Sequence, residues 1–155
     1  MNPPGIKSLQ LLFFFLILLW CIGIISEYLV AEIPVLFPLL PFLKYNYSIV
    51  CHTEPEKLIR FSTYSTMTCA RCTGIYFGSL VMSVMTLLGL KNKISIRLLF
   101  ISSIPIFIDI ILYSANIYKY SHLAALFTGL FLGSVGFLYI QNTIFDFLTK
   151  SKGKN

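Results

Sequence analysis

The sequence predicts an all-α integral membrane protein, a bundle of about four transmembrane helices with a Cys/His cluster at its extracytoplasmic mouth. Two observations on composition support this class: 57% of the residues are apolar and only 12% are charged, and the mean hydropathy is +0.82. These values lie outside the range of water-soluble domains. The third observation is a set of long uncharged stretches, because about 20 apolar residues are needed to cross about 30 Å of hydrocarbon. We therefore expect one membrane domain over residues 1–155, surrounded by the lipid bilayer.

Four stretches are long enough to cross the bilayer. The predicted spans are residues 8–27, 72–90, 98–118 and 121–146. We expect the first to be a retained helix rather than a cleaved signal peptide, because its Leu/Phe core is long and no small-x-small site follows it. Residues 28–42 are apolar but contain prolines and are too short for a fifth span. They suit an interfacial or re-entrant piece, or a kinked extension of the first helix.

The distribution of basic residues predicts the orientation. With four spans, both termini and the second connection lie on one side. The basic residues of that side are Lys7, Lys91, Lys93, Arg97, Lys150, Lys152 and Lys154. They lie close to helix ends, where the positive-inside rule applies best. The sequence therefore predicts a multi-pass protein of the cell membrane with cytoplasmic termini and an extracytoplasmic loop at about residues 43–71.

The net charge of +6 follows from this topology and favours anionic lipid head groups. The basic residues are scattered at helix ends and form no aromatic-interleaved stripe. We therefore predict no nucleic-acid partner.

Four candidate metal ligands fall in two short motifs, Cys51-His52 and Cys69-Ala-Arg-Cys72. A Cys-x-x-Cys turn supplies two thiolates, and the upstream pair completes a tetrahedral set for Zn²⁺. The sequence thus predicts a metal ion, most simply Zn, bound by Cys51, His52, Cys69 and Cys72, in a structural or metal-handling role. Because adjacent ligands strain a chelate, either Cys51 or His52 is a candidate for a supporting position.

Two alternatives to the metal site remain open. The first is a membrane thiol-disulfide oxidoreductase in which Cys69 and Cys72 exchange electrons with a lipid-soluble quinone. The second is a structural membrane protein with a plain disulfide between Cys51 and Cys69 or Cys72. A relay of two exchanging pairs needs four extracytoplasmic cysteines, and Cys21 lies inside the first predicted span. Three cysteines on one side suit a metal better.

Asp109 is the one charged residue inside the third predicted span. A carboxylate at that depth costs at least about 2.5 kcal/mol, so we expect it to face the bundle interior near Tyr76, as a hydrogen-bond or proton partner. Arg71, between two candidate ligands, could lower thiol pKa values or bind an anion. Arg60 and His122 complete the candidate polar residues of the site.

Two GxxxG pairs predict close helix packing, since glycine lets backbones approach in lipid. The residues are Gly74, Gly78, Gly129 and Gly133. We expect them to bring the second and fourth spans together.

These motifs together resemble domain of unknown function 2085, a family of small predicted integral membrane proteins. The matching features are Cys51-His52, the region of Glu56 and Arg60, the run from Cys69 to Tyr76 with Gly78, and Pro105-x-x-x-Asp109. The similarity extends from about Ile49 to Gly133 and implies a multi-span membrane protein with a Cys/His cluster of unassigned role. The chain departs from the family pattern after Asp109, where Ile110, Tyr113 and Ala125 stand in place of a usual Gly, Gln and Arg.

Overall fold

Helices and one β-hairpin make up the described part of the chain in this computed structural model, which covers residues 4–52, 54–61, 64–90 and 93–152. Two basic residues used to predict the orientation, Lys91 and Lys154, lie outside it. In order, the elements are α1 (Pro4–Ile24), α2 (Ser26–Glu32), a 3₁₀ segment (Pro34–Leu39), α3 (Leu40–Val50), β1 (Leu58–Phe61), β2 (Tyr64–Cys69), α4 (Ala70–Leu87), α5 (Ile96–Ser114) and α6 (His122–Lys152).

Within the described residues, four helices are long and apolar enough to cross a membrane, which confirms the all-α class. Their apolar windows are Lys7–Ile24, Ala70–Leu87, Ile96–Ser114 and His122–Leu148. Many of their large apolar side chains point outward, as in Leu19, Phe107 and Phe127, which are each exposed by more than half. Lipid is the natural environment of such a surface, because helices satisfy their own backbone hydrogen bonds.

Glycines set the contact between α4 and α6. A Cβ on Gly78 would collide with the carbonyl of Leu130, and a Cβ on Gly133 would collide with the carbonyl of Ile75. Gly74 and Gly129 have equally little room one turn away. The two GxxxG pairs therefore face each other, and the two helices pack backbone to backbone.

The proline-containing segment after α1 is helical, and α3, which follows it, packs against the end of α1. The hydroxyl of Tyr47 in α3 donates a hydrogen bond to the carbonyl of Trp20 at 2.7 Å. Ile24, Tyr47 and Met67 form a buried cluster, against which Trp20 and Tyr76 pack. This small core fixes the ends of α1 and α3 beside the hairpin and the start of α4.

The β-hairpin was not predicted from the sequence. Its strands are antiparallel, with Leu58 opposite Cys69, and the pairing is irregular near Ile59. There the Ile59 N–H donates to the Thr66 hydroxyl at 3.1 Å, and that hydroxyl donates to the Thr68 carbonyl at 2.8 Å. The Thr66 hydroxyl thus accepts a hydrogen bond that a backbone carbonyl normally accepts in a β-ladder. The hairpin leads directly into α4.

Candidate metal centre

Three cysteines converge where α3, the hairpin and α4 meet. The sulfur atoms of Cys51, Cys69 and Cys72 all lie within 4.8 Å of one another. Zn–S bonds of about 2.3 Å in a tetrahedral site place sulfur atoms roughly 3.8 Å apart. A closure of about 1 Å or less would therefore bring these sulfur atoms into bonding geometry.

Each cysteine owes its position to a different backbone element. Cys51 directly follows α3, and its N–H still bonds to the Tyr47 carbonyl at 3.0 Å. Cys69 ends β2 and precedes α4, while Cys72 lies in the first turn of α4. The Cys69 N–H donates to the Cys51 sulfur at 3.3 Å, which links the two segments directly.

Threonines hold the hairpin to the start of α4 beside this group. The hydroxyls of Thr68 and Thr73 share a hydrogen bond of 2.9 Å, and both side chains are buried. The Ala70 N–H donates to the Lys57 carbonyl at 2.9 Å across the base of the hairpin. Because these groups are satisfied internally, the turn that carries Cys69 and Cys72 is held in place before any ion binds.

Burial and the helix terminus act on the thiols in opposite directions. Cys51 is buried, whereas Cys69 and Cys72 are half-buried at the N-terminus of α4, where the helix dipole favours thiolates. Hydrogen bonding with the Cys51 thiol raises the pKa of the Cys69 thiol, although the neighbouring Cys72 acts in the opposite direction. Three thiolates at this separation repel one another unless a cation lies between them.

The structure does not bring His52 into the group of clustered sulfurs. Cys51 has an extended backbone, with φ −144° and ψ 137°. In extended chain, successive side chains point to opposite sides. The Cys51 sulfur turns toward the other cysteines, and His52 is exposed.

Arg71 joins the cysteine turn to Asp109. Its guanidinium donates to one carboxylate oxygen of Asp109, and the Tyr118 hydroxyl donates to the other. Both charged side chains are largely buried, with 18% of Arg71 and 7% of Asp109 exposed. Asp109 faces the bundle interior and α4, but its partners are Arg71 and Tyr118, and Tyr76 instead packs on Trp20 with ring centroids 5.8 Å apart.

The depth of Asp109 explains this pairing. Asp109 lies five residues before the end of α5 at Ser114, or about 7.5 Å along the axis. It is therefore nearer the cysteine end of the bundle than the span limits suggested, and level with the first turn of α4. The sequence itself carries one signal for this contact, because Tyr118 and Tyr120 are polar aromatic residues in the short connection after the helix that carries Asp109.

Tyr120 adds a buried hydroxyl near the same cluster. Its oxygen has no hydrogen-bond partner among the residues that the structure describes. Burial raises the pKa of Tyr120 to about 12, with a further contribution from Cys69. Its ring contacts those of Tyr113 and His122, with centroids 5.6 and 5.2 Å away.

The other two candidate residues line one pocket and do not belong to the sulfur group. Arg60 and His122 are exposed and line one pocket of about 580 Å³ with Glu56. Arg60 also donates to the Pro55 carbonyl at 3.3 Å. This pocket is a separate polar feature of the cysteine end.

The donor set indicates which ions the cluster suits. Thiolates select soft or borderline ions such as Zn²⁺ over Mg²⁺ or Ca²⁺, which prefer oxygen. Three close cysteines could hold such an ion with one coordination position left for another donor.

The sequence of this chain matches one family of membrane proteins. No curated protein and no solved structure matches the chain. The model of a family described as "Predicted membrane protein (DUF2085)" matches residues 51–139, which include all three clustered cysteines as well as Arg71 and Asp109. The chain therefore belongs to the DUF2085 family of predicted membrane proteins.

Proposed function

We propose that this membrane protein binds one Zn²⁺ or similar soft ion through Cys51, Cys69 and Cys72. The observation that carries the proposal is the convergence of three sulfurs, within 4.8 Å of one another, from two segments far apart in the sequence. A bound ion would join the end of α3, the hairpin and the start of α4. Its first role is therefore structural, because it would lock together the elements that cap the bundle.

The local charges favour a neutral fourth ligand. Three thiolates and a divalent ion carry a net charge of −1, and Arg71 has its own counterion in Asp109. An added anion would meet an already negative site. The imidazole of His52, after rotation of the exposed residue, or a water molecule would complete the set without further charge.

The metal content of the purified protein tests this proposal. We expect about one ion per chain in the wild type, and much less in Cys69→Ser and in Cys72→Ser. Cys21→Ser is the matched control, because Cys21 lies in α1 outside the sulfur group. A protein that folds fully without metal, or equal metal content in all variants, would contradict the proposal.

Thiol-disulfide exchange by Cys69 and Cys72 is the second candidate. It is favoured by the Cys-x-x-Cys spacing of two half-buried thiols at a helix N-terminus, although the raised pKa of the Cys69 thiol opposes it. Titration of thiols in the purified protein separates the two functions. A metal site gives three reactive thiols only after chelation, whereas a redox pair gives two additional thiols after reduction.

We also propose that the cysteine end faces outward and that both termini are cytoplasmic. The support is the row of basic residues at the opposite helix ends. A membrane-impermeant thiol reagent added to intact cells, after chelation and reduction, is expected to label Cys69 or Cys72. Labelling that needs broken cells would reverse this orientation.

A further inference from the structure

A groove runs along the seam between α5 and α6, at the level of Asp109. It is open and shallow, with a volume of about 420 Å³, and Ile108 and Leu112 of α5 and Ala124 of α6 line its walls. Asp109, Tyr118 and Thr128 supply its polar lining. Because Ile108 is half exposed on a membrane-spanning helix, the groove is open to the hydrocarbon of the bilayer.

Each polar group of this groove has already used its hydrogen-bond donor. The Tyr118 hydroxyl gives its proton to Asp109, and the Thr128 hydroxyl donates to the Ala125 carbonyl at 3.1 Å. The Asp109 carboxylate accepts one bond at each oxygen, from Arg71 and from Tyr118. A carboxylate offers about four lone-pair sites, so about two remain. The groove therefore presents acceptors to a ligand and no spare donor.

The negative charge of Asp109 is balanced by Arg71, which lies on the side away from the groove. Arg71 approaches Asp109 from α4 and is not among the residues that line the groove. A cationic ligand would compete with this guanidinium, and an anionic ligand would approach a carboxylate. A neutral ligand with an O–H group avoids both charge conflicts and can donate a hydrogen bond to the remaining acceptor sites.

We propose that the α5–α6 groove binds the hydroxyl end of a neutral, membrane-soluble alcohol or phenol, which donates a hydrogen bond to Asp109 or Tyr118. The apolar walls contact the hydrocarbon next to the hydroxyl group. Lipid is the source of the ligand, since the groove opens at the depth of a transmembrane helix. This inference does not depend on the proposed metal site.

Photolabelling of the full-length protein in lipid nanodiscs tests the proposal. Two probes, a diazirine-bearing long-chain alcohol and a long-chain alkyl hydroquinone with the same tag, distinguish aliphatic alcohols from quinol-type phenols. Their methyl ethers keep the shape and lack the O–H donor. We expect the better of the two donor probes to label α5 or α6 about tenfold more than its ether, because the ether leaves the acceptors unmatched.

Two variants on adjacent residues locate the site. Ala124→Phe fills the groove with a ring and is expected to reduce labelling by the donor probe about tenfold. Leu123→Phe, on an exposed neighbour that does not line the groove, is expected to label like the wild type. Equal labelling by alcohol and ether, or unchanged labelling of Ala124→Phe, overturns the proposal. If Ala124→Phe does not fold, the comparison of alcohol with ether on the wild type decides alone.

Discussion

Removal of the Asp109 carboxylate is the sharpest test of the polar contacts beneath the cysteines. Asp109→Ala leaves Arg71 without its counterion and Tyr118 without its acceptor. Both charged side chains are largely buried, so water cannot replace the lost carboxylate easily. Breaking a buried ion pair from one side costs about 3–5 kcal/mol, and we expect a loss of unfolding free energy in that range.

A matched control uses a second ion pair of the same chain. Lys57 and Glu54 lie 2.6 Å apart, but 52% of the Glu54 side chain is exposed. Glu54→Ala should therefore cost no more than about 1 kcal/mol. The assay is equilibrium unfolding of the purified protein in mixed micelles, with both variants compared under one set of conditions.

The double variant Arg71→Leu/Asp109→Leu distinguishes the loss of the ion pair from the cost of leaving one buried charge without its partner. Because it leaves no uncompensated charge in the bundle, it should recover much of the stability that Asp109→Ala loses. A loss of less than about 1 kcal/mol in Asp109→Ala would refute the reasoning, since the pair would then behave like an exposed one.

Two further predictions concern packing and pH. Gly133→Ala places a Cβ against a backbone carbonyl of α4 and should cost about 1–3 kcal/mol of unfolding free energy. Gly136→Ala should cost little, because its Cβ would meet only a side-chain carbon 3.8 Å away. Equal losses in the two variants would contradict the close contact between α4 and α6. Burial opposes ionisation of Glu27, but Lys44 at 2.8 Å and two hydrogen bonds from Ser65 outweigh it and lower its pKa. This contribution, less than about 1 kcal/mol because Lys44 is exposed, should be present above the ordinary Glu pKa and disappear as the pH falls through the lowered value. Acid titration of unfolding should show this loss in the wild type and not in Glu27→Gln.

The sequence predicted the features that depend on composition and local spacing. Long uncharged stretches determine which helices can cross a membrane, and the four helices of sufficient length confirm that class. The proximity of Cys69 and Cys72 follows from their Cys-x-x-Cys spacing, because Cys69 directly precedes α4 and Cys72 lies in its first turn. The backbone after α3 then decides which residue of the Cys51-His52 pair points toward them, and its extended conformation is not visible in the sequence.

Features that depend on long-range contacts could not be predicted in this way. The hairpin strands are four and six residues long, too short for a clear alternating pattern between the polar residues around them. The partner of Asp109 depends on how far α5 is displaced along its axis relative to α4, which hydropathy does not determine. Tyr118 became a partner because the connection after α5 folds back over Asp109.

X-ray absorption at the edge of the bound ion tests the central proposal most directly. For wild-type protein purified without chelator, we predict three sulfur neighbours at about 2.3 Å and one lighter nitrogen or oxygen neighbour near 2.0–2.1 Å. Cys72→Ser should lose most of the ion, and any ion that remains should have fewer than three sulfur neighbours, whereas Cys21→Ser should keep the ion with three. A spectrum with no sulfur shell, or no ion in well-folded protein, would contradict the proposal that Cys51, Cys69 and Cys72 form a metal centre.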